Sequence, residues 1–501
     1  MPMSMMLAQM TEIVDAATHA RAVQHIAQRG VYLPTLAQLA DPGWQSPSLR
    51  NSLKPLASGA DHDPRQLLRI HWYNDAQGNQ RDVPDYLQLP EALTGVKAPI
   101  LVAVARHFPL IGAHKVLPAY AALVSRLVTG QFDPTTQRAI WPSTGNYCRG
   151  GVAVSRLLGC RGVAVLPAGM SAERFAWLRG WVSDPSDVIA TPGSESNVKE
   201  IYDACRTLAA DPRNVILNQF AEFANYLSHY SCTGPALAQI FEAARRKQPP
   251  LRLAAFVAGT GSAGTLAAGD WLKDRHGTRI AALEALECPT LLENGFGEHN
   301  IQGIGDKHVP LIHNVMNTDF VIGVSDRASD QLFCLLQSPT GRDTLARRRG
   351  IDPALLAELA QLGLSGLANL VGAIKLAHTL RLSADDAVIT VATDHAGLYQ
   401  SEIEKVQARD FAGDFTAQDA CEVWGRHILA ASPDATRELS ESERRRIFNL
   451  GYFTWVEQQG ITCEEFVARR TQGFWRSLRA GLSRWDALIE DFNHRTRASV
   501  S

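Results

Sequence analysis

Lys115 closes the run Pro109-Leu110-Ile111-Gly112-Ala113-His114-Lys115, directly after a Gly/Ala turn and at the start of an apolar helical segment. Burial beside Leu110, Ile111 and Val116 disfavours the charged form of such an amine, which makes it a nucleophile and base near neutral pH. Ser143-Thr144-Gly145-Asn146 is a second polar turn that opens another helix. A third turn, Gly259-Thr260-Gly261-Ser262-Ala263-Gly264-Thr265, lies between an apolar strand and a helix. Its glycines allow close backbone approach, and the helix N-terminus offers unpaired N–H groups and a positive dipole end, so it reads as a phosphate site. The three turns together suit one small planar phosphorylated cofactor, with Lys115 as its covalent anchor.

The third turn has a competing reading. Its spacing is G-x-G-x-x-G after a strand, and Glu284 follows at the end of a later apolar run. That satisfies the dinucleotide fingerprint and would make the chain a nicotinamide or flavin oxidoreductase. Such an enzyme would leave Lys115 and residues 143–146 without a task, whereas a lysine-anchored monophosphate uses all three turns. Three neighbours also bear on chemistry. Cys148 reads as a buried thiol. Arg149 is either a helix-start residue or a fork that grips a phosphate or second carboxylate on a substrate. His114 either packs against a cofactor phosphate or serves the turn.

The elements that must position these groups alternate. Apolar, partly β-branched runs at 100–105, 162–166, 254–258 and 387–391 have the length and character of strands buried on both faces. Helical segments at 116–128, 152–158 and 197–208 lie between them. The pattern predicts an open, doubly wound α/β fold with ligands at the carboxyl ends of its strands. Residues 1–97 form a mixed N-terminal segment, with an opening strand at 32–36 and a turn-rich surface insertion at 59–93. Residues 98–409 form the α/β core, interrupted near 338–361 by a polar insertion whose Arg347-Arg348-Arg349 reads as a solvated face. Residues 410–501 are helical, with capping boxes at Ser440–Glu443 and Thr462–Glu465 and an apolar stripe of Trp485, Leu488, Ile489 and Phe492. The stripe is read as packing on the main body, with a dimer contact or a lid as the alternative.

A net charge of −2 gives no electrostatic reason to expect nucleic acid or an anionic membrane as partner. The eight cysteines lack CxxC or zinc-type spacing, so no metal site is expected and the thiols read as reduced and cytoplasmic. Glu12 and Asp15 interrupt the Met-rich start before any long apolar run, so neither a signal peptide nor a membrane helix is expected there.

In the order of these motifs the chain resembles the pyridoxal-phosphate enzymes of fold type II, the cysteine synthase and tryptophan synthase β chain superfamily. Gly112-Ala113-His114-Lys115 is similar to the segment of the Schiff-base lysine. Pro142-Ser143-Thr144-Gly145-Asn146 resembles the substrate loop, which implies that Asn146 meets the cofactor ring oxygen and that Ser143, Thr144 and Gly145 hold the amino-acid carboxylate. Asn218-Gln219-Phe220 implies that Gln219 faces the same carboxylate. Residues 259–265 resemble the phosphate turn, Ile301-Gln302-Gly303-Ile304-Gly305 the cysteine synthase pattern, and Leu364-Ser365-Gly366-Leu367-Ala368 the later Ser-Gly turn. The chain departs from the family at Tyr147-Cys148-Arg149, where small residues are usual. It also departs at Ala392-Thr393-Asp394-His395, where a serine or threonine usually faces the pyridine nitrogen; alignment from the preceding strand puts Asp394 there, and alignment from Tyr399 puts His395 there.

The resemblance implies two interleaved open-sheet subdomains, pyridoxal 5'-phosphate as cofactor and a small β-substituted L-amino acid as substrate. It implies β-elimination or β-replacement through an aminoacrylate, and a homodimer. An ammonia-lyase or dehydratase is the alternative within the fold. The dinucleotide oxidoreductase, and a cofactor-binding scaffold without turnover, are the alternatives outside it.

Overall fold

The structure, a computed structural model, describes residues 10–58 and 62–497, so most of the Met-rich start and Gly59 lie outside the described residues. Its strands fall into two sheets. The larger has the order β1-β2-β10-β7-β8-β9-β11 and the smaller the order β5-β4-β3-β6. Their ranges are β1 Tyr86–Leu89, β2 Ile100–Val104, β3 Arg138–Pro142, β4 Arg161–Pro167, β5 Val188–Thr191, β6 Asn214–Ile216, β7 Arg252–Gly259, β8 Arg279–Ala285, β9 Phe320–Val324, β10 Asp386–Ala392 and β11 Thr436–Glu438. The smaller sheet is parallel throughout. The larger one is parallel from β2 to β9 and antiparallel only at its edges, β1 and β11. Those two edges come from outside residues 98–409. Strands β2, β9 and β10 are buried at every position, in keeping with their mostly apolar runs. The doubly wound α/β expectation and its two parallel subdomains are therefore met.

The helices that matter to the argument are labelled in chain order. Helix α1 is Leu36–Ala40. The stretch before it, 32–35, joins no sheet, contrary to the expected opening strand. Its extended backbone is satisfied from another quarter: Asn493 accepts from the Leu33 N–H at 2.9 Å and donates to the Leu33 carbonyl at 2.7 Å. Thr35 then caps α1 in a reciprocal box with Gln38. The turn-rich stretch from His62 onward is a surface insertion only in part: 62–65 and most of 75–82 are exposed or half-buried, but 66–74 is interior. Gln66, Arg69, His71 and Asn74 are buried, and the Trp72 indole donates to Thr233 Oγ1 at 3.0 Å. Polar composition misled there because these side chains satisfy one another inside: Arg69 donates to Gln66, and Asn74 to the Arg69 and His71 carbonyls.

Helix α2 is Val116–Val128, as expected, and α3 is Asn146–Leu157, which begins earlier than the expected 152 because the polar turn itself is its first turn. Helix α4, Leu266–His276, follows the glycine turn. The insertion near 338–361 is α5, Pro339–Arg349, and α6, Pro353–Leu359, which bury Leu345, Leu356 and Leu359. Arg347 on α5 pairs with Asp343 at 2.8 Å as a solvated face should, but the Arg349 guanidinium lies 4.2 Å over the Trp424 ring. In the C-terminal region, α7 is Glu441–Trp455, α8 Cys463–Ala468, α9 Gln472–Ala480 and α10 Leu482–Thr496, and both expected capping boxes are present. Trp485, Ile489 and Phe492 are buried in the main core, and Asp486 accepts from the Leu36 N–H at 2.8 Å. The stripe thus packs on the body of the chain.

Candidate functional site

The turns that leave the carboxyl ends of β3, β7 and β10, the segment 217–220 after β6 and the lysine loop after β2 meet around one cavity. Lys115 and Gln219 form part of its wall. The Lys115 amine donates to Ser262 Oγ at 2.8 Å and to Gln219 Oε1 at 3.4 Å. Burial pulls this amine from the ordinary 10.5 down to about 8, against the opposing pull of the Asp306 and Glu195 carboxyls. His114, next to it, is pushed down to about 3 by burial and by the Lys115 charge, so its ring is neutral. The ring lies 3.1 Å from the Thr393 carbonyl through Nδ1, which must therefore carry the proton, and Nε2 accepts from the Thr265 hydroxyl at 2.9 Å.

The glycine turn faces the cavity through Gly259, Gly261, Ser262, Ala263 and Thr265, with Thr260 and Gly264 supplying backbone behind. Helix α4 makes its first bonds from the Leu266, Ala267 and Ala268 N–H groups to the carbonyls of 263, 264 and 265. The N–H groups of Gly261, Ser262, Ala263 and Thr265 precede that ladder and donate to no acceptor among the described residues. Ala263 holds φ at 63°, a left-handed value that a non-glycine residue adopts only at a cost of order 1–3 kcal/mol and that helps to aim successive N–H groups at one point. Gly264 has no room for a side chain, since a Cβ there would overlap the Asn225 carboxamide, which itself donates to Ser262 at 3.0 Å. A buried turn with four unpaired donors, next to a neutral-prone lysine, fits a phosphorylated aldehyde cofactor.

Ser143, Thr144 and Asn146 line the opposite side. Gly145 holds φ at 152°, and a Cβ on it would lie 2.7 Å from Arg174, so glycine is required. Asn146 is fixed at both ends of its amide. It donates to Asp394 Oδ2 at 2.6 Å, and Arg149 donates to its Oδ1 at 3.0 Å.

The structure therefore places Arg149 and Asp394 away from the cavity wall. Arg149 is buried, its guanidinium 4.7 Å over the Trp177 ring, and, at i+3 on α3, it reaches back to Asn146. Asp394 also accepts from the Tyr399 hydroxyl at 2.5 Å and lies 3.6 Å from Arg174. Of residues 392–395 it is Thr393 that lines the cavity, with Ser365 Oγ 2.6 Å from its hydroxyl. Cys148 is a buried thiol, pushed up to about 12 by burial and bonded to the Gly145 carbonyl. Glu284 accepts from the Leu291 and Leu292 N–H groups at 2.9 and 2.8 Å, so its buried carboxyl is engaged in capping a backbone turn. Two acids at the site carried no sequence signal: Asp306 lines the cavity directly after the 301–305 motif, and Glu195 lies behind Thr144.

Residues 86–338 match the family described as pyridoxal-phosphate dependent enzyme. Cysteine synthase 3 of Caenorhabditis elegans is 30% identical over 231 residues, which cover 45% of this chain and 58% of that protein. Cysteine synthase B of Campylobacter jejuni is 29% identical over 171 residues, 34% of this chain and 54% of that protein. The chain thus spans less than two thirds of the length of these curated relatives. Among solved structures, a hydrogen sulfide-producing enzyme of Fusobacterium nucleatum superposes with a TM-score of 0.52 at 21% identity, over 68% of this chain and 92% of the other. O-ureido-L-serine synthase superposes with a TM-score of 0.51 at 22% identity, over 66% and 94%. At these identities the superpositions show a shared fold. With the match spanning half of its sequence, the chain belongs to the pyridoxal-phosphate dependent enzyme family.

Proposed function

We propose that the chain is a lyase or transferase that eliminates or replaces the β-substituent of a small L-amino acid, cysteine synthase-like in its reaction. The observation that carries this reading is the Lys115 amine, drawn down to about 8 and bonded to a turn whose N–H groups stand unpaired. The curated cysteine synthase relatives support the reaction class.

In this reading the N–H groups of Gly261, Ser262, Ala263 and Thr265, with the Ser262 and Thr265 side chains, hold the phosphate, and Thr393 meets the ring. The bound cofactor supplies an electron sink for the pair left when a proton leaves Cα. Ser143, Thr144 and Gln219 hold the substrate carboxylate and so present the α-proton to Lys115. At neutral pH a useful fraction of that amine is free to take the proton. Neutral His114, tied to Thr393 and Thr265, fixes the turn against the loop after β10 without adding a charge that would compete for the phosphate. The cavity is lined by buried groups, which keeps bulk water from the proton transfer.

The same reading carries three further inferences. These are a cytoplasmic site of action, in keeping with eight unpaired thiols, a homodimer, and a division into units at 1–97, 98–409 and 410–501. Light scattering tests the dimer, and limited proteolysis tests the division. The reaction is tested by loading the protein with pyridoxal phosphate. A visible absorption band that Lys115→Ala abolishes, and release of pyruvate or formation of a replacement product from O-acetylserine, O-phosphoserine, cysteine, serine or 2,3-diaminopropionate, is the expected result. A protein that takes up no cofactor, or turns over none of these, refutes the reading.

A further inference from the structure

The carboxyl of Asp306 faces the cavity that holds Lys115. It is 6% exposed, and its Oδ2 accepts from nothing among the described residues. Asp306 is held there by its backbone: the Thr290 hydroxyl donates to its carbonyl at 2.7 Å, and the preceding Gly305 sits in left-handed φ at 77°. A second acid, Glu195, is 1% exposed. It accepts from the Thr144 hydroxyl and the Gly303 N–H, yet its Oε2 also lacks a partner among the described residues. Burial raises the proton affinity of both carboxyls, and Glu195 lies close enough to Asp306 to raise that of Asp306 further. Burying two acids together is costly unless a cation or several donors meet them. The cationic groups nearby, Lys115 and Arg174, offset these acids in part by their charge but give their hydrogen bonds to other groups. Lys115 donates to Ser262 and Gln219, and the guanidinium of Arg174 to Gln302 and the Tyr399 hydroxyl.

The reading above leaves the β-substituent unnamed, and these acids bear on it. A phosphate ester would bring an anion against two carboxyls, an acetyl group brings only acceptors, and a hydroxyl or thiol brings one donor. A protonated amine brings three donors and the missing positive charge. Resting on that reading, we propose that Asp306 and Glu195 form an acidic subsite for an ammonium group on the β-carbon, so that the substrate class is a β-amino-substituted alanine, of which 2,3-diaminopropionate is the smallest. The subsite keeps the β-nitrogen protonated, which its departure requires. Lys115 takes the α-proton, the electron pair it leaves forms the Cα=Cβ bond, and the Cβ–N bond breaks with its pair going to nitrogen, which leaves as neutral ammonia. The remaining three-carbon enamine takes up water and releases the second nitrogen, giving pyruvate. Each turnover therefore consumes one water and yields two ammonia per pyruvate.

The test uses the cofactor-loaded full chain. Wild type should turn over 2,3-diaminopropionate with two ammonia per pyruvate and a kcat/KM above those for O-acetylserine and O-phosphoserine. Asp306→Asn should lower the ratio of kcat/KM for diaminopropionate over O-acetylserine at least tenfold, mostly through KM, and should weaken competitive inhibition by ethylenediamine by a similar factor. Glu195→Gln, nearly isosteric, should move the same ratio and serves if Asp306→Asn does not fold. A wild-type preference for O-acetylserine, O-phosphoserine or cysteine overturns the subsite, as does a ratio unchanged in both variants. Those results leave the proposed reaction standing, because the visible band and turnover persist. Absence of the band and of all turnover sinks both.

Discussion

The lowered proton affinity of Lys115 can be measured without substrate. At pH 7 an amine titrating at about 8 is roughly 10% neutral, against ~0.04% for an ordinary lysine, a difference of about 250-fold. Lower basicity also lowers intrinsic nucleophilicity. With a Brønsted slope of about 0.4–0.5, as for thiols, that loss is roughly tenfold, so an advantage of ~25-fold remains. The assay is reductive methylation of the cofactor-free protein with formaldehyde and cyanoborohydride between pH 6 and 11, followed by peptide mass spectrometry, with exposed Lys199 as the internal reference. Access to the cavity scales the absolute rate at Lys115 but does not move its midpoint, so the shape of the profile decides. The Lys115 rate should rise tenfold per pH unit and level off near pH 8, the sign expected when burial penalises the ammonium. A Lys115 midpoint above about pH 10 would refute the claim that desolvation governs this amine, and with it the argument that Lys115 serves as a base at neutral pH.

Asp394→Ala should destabilise the protein by about 3–5 kcal/mol, because it leaves Arg174 without its anion and Asn146 and Tyr399 without their acceptor in a buried site. Unfolding rates in guanidinium within threefold of wild type would contradict this. A cycle combining Asp394→Asn with Arg149→Ala should show a coupling of roughly 0.5–3 kcal/mol through Asn146, and additive effects would mean the two do not share that amide. Glu195 sets a pH dependence: burial raises its carboxyl from 4.5 to about 7, so across that window the folded chain keeps a proton that the unfolded chain gives up. Its contribution is therefore full below pH 4.5 and is lost as pH rises through 7. Urea midpoints measured from pH 4.5 to 7.5 should decline less steeply in Glu195→Gln, and identical slopes would exclude the assignment. Gly264→Ala should weaken retention of pyridoxal phosphate at least tenfold in equilibrium dialysis, with an unchanged far-ultraviolet spectrum, since the new methyl displaces Asn225 from Ser262.

The sequence made legible whatever is dictated by local pattern. Strands β2, β4, β7 and β10 could be read because each contains a mostly apolar run that is buried on both faces. The helix after Lys115 could be read to the residue. The illegible parts are those in which a distant group satisfies a local need. Residues 32–35 have the composition of a strand, yet the Asn493 carboxamide takes the place of a neighbouring strand, and nothing near Leu33 announces it. Residues 66–74 look exposed because their polar side chains find partners only after folding. At the site, the lysine, the substrate turn and the phosphate turn are contiguous motifs and were visible. Asp306 and Glu195 belong to no repeating pattern, and only the fold brings them together.

The two departures from the family pattern are one arrangement. An asparagine that opens a helix beside a ligand can rotate its amide, and either orientation is cheap if both ends face water. Here Arg149, a donor only, takes the Oδ1 end, and Asp394, an acceptor when ionised, takes the Nδ2 end. That pairing fixes the amide's orientation and leaves no degenerate flip. It also ties the turn after β3 in one sheet to the loop after β10 in the other. Tyr399, Arg174 and Gln302 extend the tie to the 301–305 segment, from which Asp306 projects. Asp394 also pairs with Arg174, so losing Asp394 leaves a buried guanidinium without its anion, at a cost of several kcal/mol, while losing Arg149 leaves the Asn146 Oδ1 without its donor. The positions therefore act as a set, and they hold the 143–146 turn and the segment that carries Asp306 in one frame. A site built to receive a small ammonium on the β-carbon needs that frame, because so short a substrate has little surface beyond its carboxylate and its two nitrogens by which to be oriented.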